Sequence, residues 1–295
     1  MMIYSLAMAI FFALLALVGW GAGDIMVAKV SRILGNRAAN FIWLIGSFLI
    51  SSLYIPFAGP VNDWAMLFLA ILINFFGLYG TIFYFRALEV GHTSLVGTIS
   101  GAFPVVTVPL SILLFKESLT AIQIGAILLI ISGLVLATFH FEEIKKRNLS
   151  RLLKEKSIVL SFATLLIWGI YWTLVRYPVE KIGWFWSSYP GYSFFIYMYL
   201  TGMVKRKDIT INKLKNRRII LMIITMTLLI LTANFAFNLG ITYGFSSVVA
   251  PIAGSAPVIF VIISRFVFKE RLTGQQRLGI LFSLAGIVMM GIVSV

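Results

Sequence analysis

GHTSLVGTISGAFPVVTVPLSILLFKESLT, from Gly91 to Thr120, returns as GFSSVVAPIAGSAPVIFVIISRFVFKERLT from Gly244 to Thr273. The two stretches lie 153 positions apart and share 14 of 30 residues without a gap. The identities include Gly91/Gly244, Ser94/Ser247, Gly101/Gly254, Pro104/Pro257, Lys116/Lys269, Glu117/Glu270 and Thr120/Thr273. Both copies fall in apolar runs long enough to cross a bilayer, which takes about 20 helical residues. A proline-interrupted membrane segment that occurs twice points to a secondary transporter with its site between two halves.

The rest of the chain extends this pattern. Apolar residues make up 60% of the 295 positions and charged residues 12%, and mean hydropathy is +1.01. A soluble domain carries roughly 25% charged residues. Hydrocarbon offers no hydrogen bonds to open backbone, so runs of this length are read as helices. Working outward from the repeat predicts ten spans, at roughly 4–28, 39–57, 64–88, 93–115, 121–140, 157–177, 183–204, 218–242, 246–268 and 274–294. The first run is read as an uncleaved span, since it is about twice the length of a signal-peptide core. The charged stretch 141–156 (FEEIKKRNLSRLLKEK) separates a five-helix unit at 1–140 from another at 157–295. Trp20-Gly21 in the first span matches Trp168-Gly169 in the sixth. Five is odd, so the two units cross in opposite directions. The expected fold is an all-α integral membrane protein: ten transmembrane helices as two inverted five-helix repeats, a design suited to alternating access.

Charge and composition narrow the function. The net charge of +14 sits mostly in loops, so it reads as a topology signal and a contact with anionic lipid rather than a nucleic-acid surface. Lys29, Arg32, Arg37, the linker cluster and the 205–218 cluster occupy odd-numbered loops. Taken literally, those loops are cytoplasmic and both termini face outside. The chain has no cysteine and two histidines, His92 and His140, so neither thiol chemistry nor a metal centre is expected. It also lacks a Walker loop, an HExxH motif and a nucleophile triad. No catalytic residue, metal or cofactor is assigned. The expected partners are a small-molecule substrate and the bilayer, with the chain a monomer or weak homodimer in a cell membrane.

Several residues are candidates for the site. Gly101, Pro104, Gly254 and Pro257 form matched kinks, because proline removes a donor and clashes with the preceding turn. They are read as hinges, and the small residues Ser100 and Ser255 beside them as candidate substrate contacts. Asn74, Asn234 and Asn238 are amides inside spans, and the last two share a helix face. Buried amides need partners, so they are candidate substrate contacts, along with the hydroxyls of Tyr79 and Tyr84. Trp20, Trp168 and Trp172 offer aromatic walls that can hold an ammonium. Trp43, Trp64, Trp184 and Trp186 sit near span ends and read as interfacial belt residues. Asp24 and Arg86 are the charged side chains placed deepest, and are candidates for charge coupling. Arg86 is spaced to pair with Glu89. The Lys116-Glu117 and Lys269-Glu270 pairs mark tight interspan turns and read as structural or gate-stabilising.

Each half ends in P…FKE-x-LT followed by a glycine-containing last span, and Tyr84–Ser94 reads YFRALEVGHTS. In these features the chain resembles EamA-type members of the drug/metabolite transporter superfamily. The resemblance implies a ten-helix exporter or exchanger of small metabolites, often amino acids. It also implies a cavity built by spans 3, 4, 8 and 9 and flanked by spans 1 and 6. It would place both termini in the cytoplasm, opposite to the charge bias. Two other readings stand beside it. One is a carrier of phosphorylated sugars or nucleotide sugars, which would need Arg86, Arg176 or Arg265 in the cavity. The other is a membrane scaffold that transports nothing.

Overall fold

A computed structural model of the chain describes residues 2–138, 155–209, 211–267 and 273–293, and every regular element among them is helical. Most of the linker and the Lys269-Glu270 pair lie outside the described residues. The first half runs α1 (Met2–Leu34), α2 (Asn36–Ser52), α3 (Trp64–Val90), α4 (Thr93–Gly101), α5 (Pro104–Phe115) and α6 (Ala121–Thr138). The second runs α7 (Lys156–Leu174), α8 (Arg176–Trp186), α9 (Phe195–Leu200), α10 (Arg217–Tyr243), α11 (Ser246–Gly254), α12 (Ala256–Val267) and α13 (Gly274–Val293).

Seven helical stretches among the described residues are long and apolar enough to cross a membrane. The span expected at 183–204 is not one of them. Gly183 adopts φ 80°, ψ 166°, a conformation other residues rarely take, and breaks the helix there. A 3-10 segment at Tyr189–Phe194 follows, with Pro190 in its first turn, and only the six residues of α9 return to α geometry. The aromatic run around Trp184 makes this region apolar enough to read as a span, but Gly183 and Pro190 keep it from being one helix. Boundaries also shift. α1 continues to Leu34, well past residue 28, because nothing before Gly35 interrupts it, and α2 begins at Asn36.

Two spans are broken by proline. Pro104 opens α5 and Pro257 sits at the start of α12, and neither can donate to the preceding turn. The two breaks meet. A methyl group on Gly101 would lie 2.8 Å from Cγ of Pro257 and 3.0 Å from the Gly254 carbonyl. One on Gly254 would lie 2.5 Å from Cγ of Pro104 and 2.9 Å from the Gly101 carbonyl. Only glycine permits this approach, and 101 facing 257 while 104 faces 254 makes the crossing antiparallel.

The same two-fold relation holds elsewhere. α1 packs along α10, and α7 packs along α3, so the first helix of each half lies on the 27-residue helix of the other. Gly244 abuts Ala9 while Gly91 abuts Ser157. Gly21 abuts Ile259 and Ala256 while Gly169 abuts Val106 and Phe103. Offsets of 148 along the first helix and 153 along the third to fifth carry each contact onto its mate. α6 and α13 close the bundle against each other. Gly133 faces Ser283, Gly279 faces Ala137, and Ser283 Oγ donates to the Ile130 carbonyl at 3.3 Å. These small residues therefore join the two halves of one chain.

The two ends of the bundle differ. At the end that carries the linker, Arg32 donates to the Gly91 carbonyl at 3.0 Å and to Thr93 Oγ1 at 2.8 Å. At the opposite end, Glu117 follows Lys116, which turns the chain with φ 52°. The Glu117 side chain is fully buried. It accepts the backbone N–H groups of Ser246 (2.9 Å) and Ser247 (3.0 Å) at the start of α11. It also pairs with Arg176 at the start of α8. Arg176 in turn holds Glu180 at 2.6 Å and lies 4.8 Å from the centre of the Phe115 ring. A carboxylate at a helix N-terminus satisfies donors that the helix itself cannot. Here it also ties the first half to the second.

Candidate functional site

Between the halves lies a cavity of about 110 Å³, several times the ~10–15 Å³ needed by one water. α1, α3, α7 and α10 supply most of its wall, and the α4 and α11–α12 breaks contribute Gly97, Gly101, Gly254 and Pro257. Of the residues predicted for the site, Trp20, Asn74, Tyr84, Trp168, Trp172 and Asn234 line it, as does Asp24.

Asp24 is the one charged side chain on this wall among the described residues. Its carboxylate accepts the Tyr84 hydroxyl. Because α1 runs on to Leu34, Asp24 lies well inside the helix and not at the span end that the sequence suggests. The two-fold offsets put Trp172 in the position equivalent to Asp24, and Phe237 in that of Tyr84. Trp172 and Phe237 are packed rings with centroids 4.4 Å apart. The cavity thus carries a carboxylate–hydroxyl pair toward the linker end, while the mirrored place is held by an aromatic pair of which Trp172 reaches the wall.

Aromatic rings form much of the remaining enclosure. Trp20 contacts Trp172 (5.1 Å between centroids), Phe103 (6.1 Å) and Phe237 (5.6 Å), while Trp168 lies against Tyr84 at 4.8 Å. Trp20 Nε1 donates to Asn234 Oδ1 at 2.9 Å, and Asn234 Nδ2 donates to the Tyr192 hydroxyl at 3.3 Å. Trp43 is buried, lines the cavity, and keeps an Nε1–H with no partner among the described residues. Its reading as a belt residue is corrected: α2 starts at Asn36 and ends at Ser52, so Trp43 is at mid-helix. Thr81, Tyr171 and Tyr192 also line the wall and carry no motif that marks them.

The three asparagines have a common partner that their spacing does not reveal. Asn74 Nδ2 donates to the Ser187 carbonyl at 2.6 Å and to the Ala70 carbonyl at 2.7 Å, while its Oδ1 accepts Tyr171 at 3.2 Å. Asn238 Nδ2 donates to the Trp184 carbonyl at 3.0 Å and to Ser188 Oγ at 2.7 Å. With the Asn234–Tyr192 bond, all three amides converge on residues 184–192. Irregular backbone at membrane depth must have its polar groups satisfied by neighbouring protein, and these amides do that. Asn238 does not reach the cavity. Asn238→Ala is therefore expected to lower thermal stability, by about 1–3 kcal/mol, with a smaller change in solute affinity. An unchanged melting temperature in detergent would overturn that assignment.

Other predicted residues lie off the wall. Tyr79 bonds the Tyr197 hydroxyl at 2.9 Å, and Arg86 pairs with Glu89 at 2.7 Å; both Tyr79 and Arg86 border a separate recess at the linker end. Ser100 and Ser255 are buried against the kinks, Ser255 donating to the Pro251 carbonyl at 2.8 Å. Pro104 packs on Gly254 instead of the cavity. No cationic side chain lines the cavity among the described residues: Arg86 and Arg176 are engaged elsewhere, and the Arg265 side chain lies outside what is described.

A family model described as the EamA-like transporter family matches residues 7–139 and again 155–292. A protein of Methanocaldococcus jannaschii, described as uncharacterized, is 31% identical over 133 residues. The match covers 43% of this chain and 94% of that protein, which is thus about as long as one repeat. A solved crystal structure superposes with a TM-score of 0.74 and 14% identity, over 97% of each chain. At that identity the likeness concerns the fold alone.

Proposed function

The chain belongs to the EamA-like transporter family, and on that premise we propose that it carries a small amphipathic solute with an ammonium group, an amino acid being the favoured class. The observation that carries this reading is the carboxylate of Asp24, the one charged group among the described residues that line an aromatic-rich cavity. An ammonium gains from a carboxylate and from the faces of tryptophan rings together. The Trp43 Nε1–H, without a partner among the described residues, offers a donor for an acidic group at the other end of the solute.

Movement would follow alternating access across ten passes, the seventh made by the irregular segment and α9. The Gly101–Pro257 and Gly254–Pro104 crossing lies between the halves and serves as their pivot. The buried Glu117–Arg176 pair closes the end away from the linker. By the positive-inside rule the linker end faces the cytoplasm of a cell membrane.

The test is competition in liposomes containing the purified chain, with labelled alanine as the transported solute. Unlabelled alanine and alanine methyl ester are expected to compete, because both keep the ammonium, and N-acetylalanine is expected not to. Inhibition by a sugar phosphate but by none of the amines would sink this reading in favour of an anion carrier.

A further inference from the structure

A second cavity, of about 640 Å³, opens at the linker end and shares no lining residue with the central one. The start of α2 forms part of its wall through Gly35, Asn36, Arg37 and Ala38. No side chain caps this helix, so its first-turn N–H groups are available to an anion. An independent observation points to a ligand at the same place. Asn40 lines the recess, is 1% exposed, and has no partner for either Oδ1 or Nδ2 among the described residues. A buried amide left wholly unpaired costs stability unless something binds it.

The charges around the recess define what fits. Arg37, Arg86 and Lys156 line it with Glu89 and Asp208. Glu89 accepts Arg86 at 2.7 Å and Asn36 Nδ2 at 2.5 Å. A bare anion would have to pull Arg86 away from Glu89, and a bare cation would meet an excess of positive charge. A group with both charges avoids each cost. Its acidic end can take the α2 N-terminus, Arg37 and Asn40 Nδ2. Its ammonium can take Glu89 and Asn40 Oδ1. Ile82, Phe83, Leu160 and Met198 give the attached carbon chain an apolar wall.

We infer that this recess is a second binding site, selective for a zwitterion in which a short linker joins a carboxylate or phosphate to an ammonium. A free amino acid and a phosphatidylethanolamine headgroup share that chemistry. The inference rests on the recess alone and does not require the central cavity to carry an amino acid.

The experiment uses the full chain in lipid nanodiscs. Bound labelled alanine is counted per chain by equilibrium dialysis, and retained phosphatidylethanolamine is counted by native mass spectrometry. Arg37→Ala changes an exposed side chain and so should not perturb folding, while Asn40→Leu removes the buried amide. The expected result is that both variants weaken binding at the recess at least 10-fold, seen either as one fewer alanine bound per chain or as loss of the retained phosphatidylethanolamine. Loss of alanine identifies the source as a free solute, and loss of phosphatidylethanolamine identifies it as the bilayer. If wild type binds no alanine but retains the lipid, and Arg37→Ala releases it, the proposed central substrate fails and the recess stands. If Arg37→Ala and Asn40→Leu bind both ligands as wild type does, or wild type holds neither, the site is overturned.

Discussion

Asp24→Asn is expected to lower alanine uptake by about 30-fold or more, the usual consequence of removing one partner from an enclosed charge pair at about 2 kcal/mol or above. The substitution keeps size and shape, and the asparagine oxygen can still accept the Tyr84 hydroxyl. The protein should therefore purify and melt as wild type does. A carboxylate within a span that has only a hydroxyl partner is itself costly, so any shift in melting temperature should be upward. The measurement is initial uptake into liposomes at matched protein incorporation, with detergent melting curves beside it. Wild-type uptake by this variant would remove the ammonium assignment, because the cavity wall has no other charged side chain among the described residues. Asp24→Glu keeps the charge but moves it by one methylene. It should recover part of the activity, which separates a need for charge from a need for shape.

Glu117→Ala is expected to be the most destabilising single change, at about 3–5 kcal/mol for a broken buried ion pair, or on the order of 10 °C in melting temperature. Two backbone donors at the start of α11 lose their acceptor, and Arg176 loses its buried partner. Arg176→Ala should cost less, since Glu117 keeps both N–H bonds and Glu180 is partly exposed. A double-mutant cycle on the two positions, read by melting temperature, isolates the pair from the cap. Additive effects of the two substitutions would mean that Glu117 acts only as a helix cap and that the ion pair does not hold the halves together.

How far the sequence is legible depends on the residue type. Gly101-x-x-Pro104 and Gly254-x-x-Pro257 announce their kinks directly, since glycine and proline each prescribe a backbone behaviour. That the two kinks cross each other follows only from packing between the halves. Asn74, Asn234 and Asn238 are recognisable as buried amides in need of partners. Their partners lie at Ser187, Tyr192, Trp184 and Ser188, in a stretch that hydropathy presents as one more helix. The deciding signal there is Gly183 with Pro190 seven residues on, and the surrounding aromatics mask it. Asp24 and Trp43 look peripheral when α1 is ended early and α2 is started late; both lie well inside their helices once the helix limits are right. The Glu117 bond to α11 joins residues about 130 positions apart, and no local pattern encodes it.

Asp24 has Trp172 as its two-fold mate, and this bears on stoichiometry. In an assembly of two identical five-helix chains, every side chain near the axis is present twice, so the charge of the shared cavity is always even. One carboxylate there brings a second, and a monovalent cargo leaves one of them unneutralised in a medium of low polarity. A covalent tandem escapes that parity rule, because its two copies diverge independently. Here one copy has the acid while the other has an indole, so among the described residues the cavity charge is odd, and the single monovalent guest proposed above would balance it.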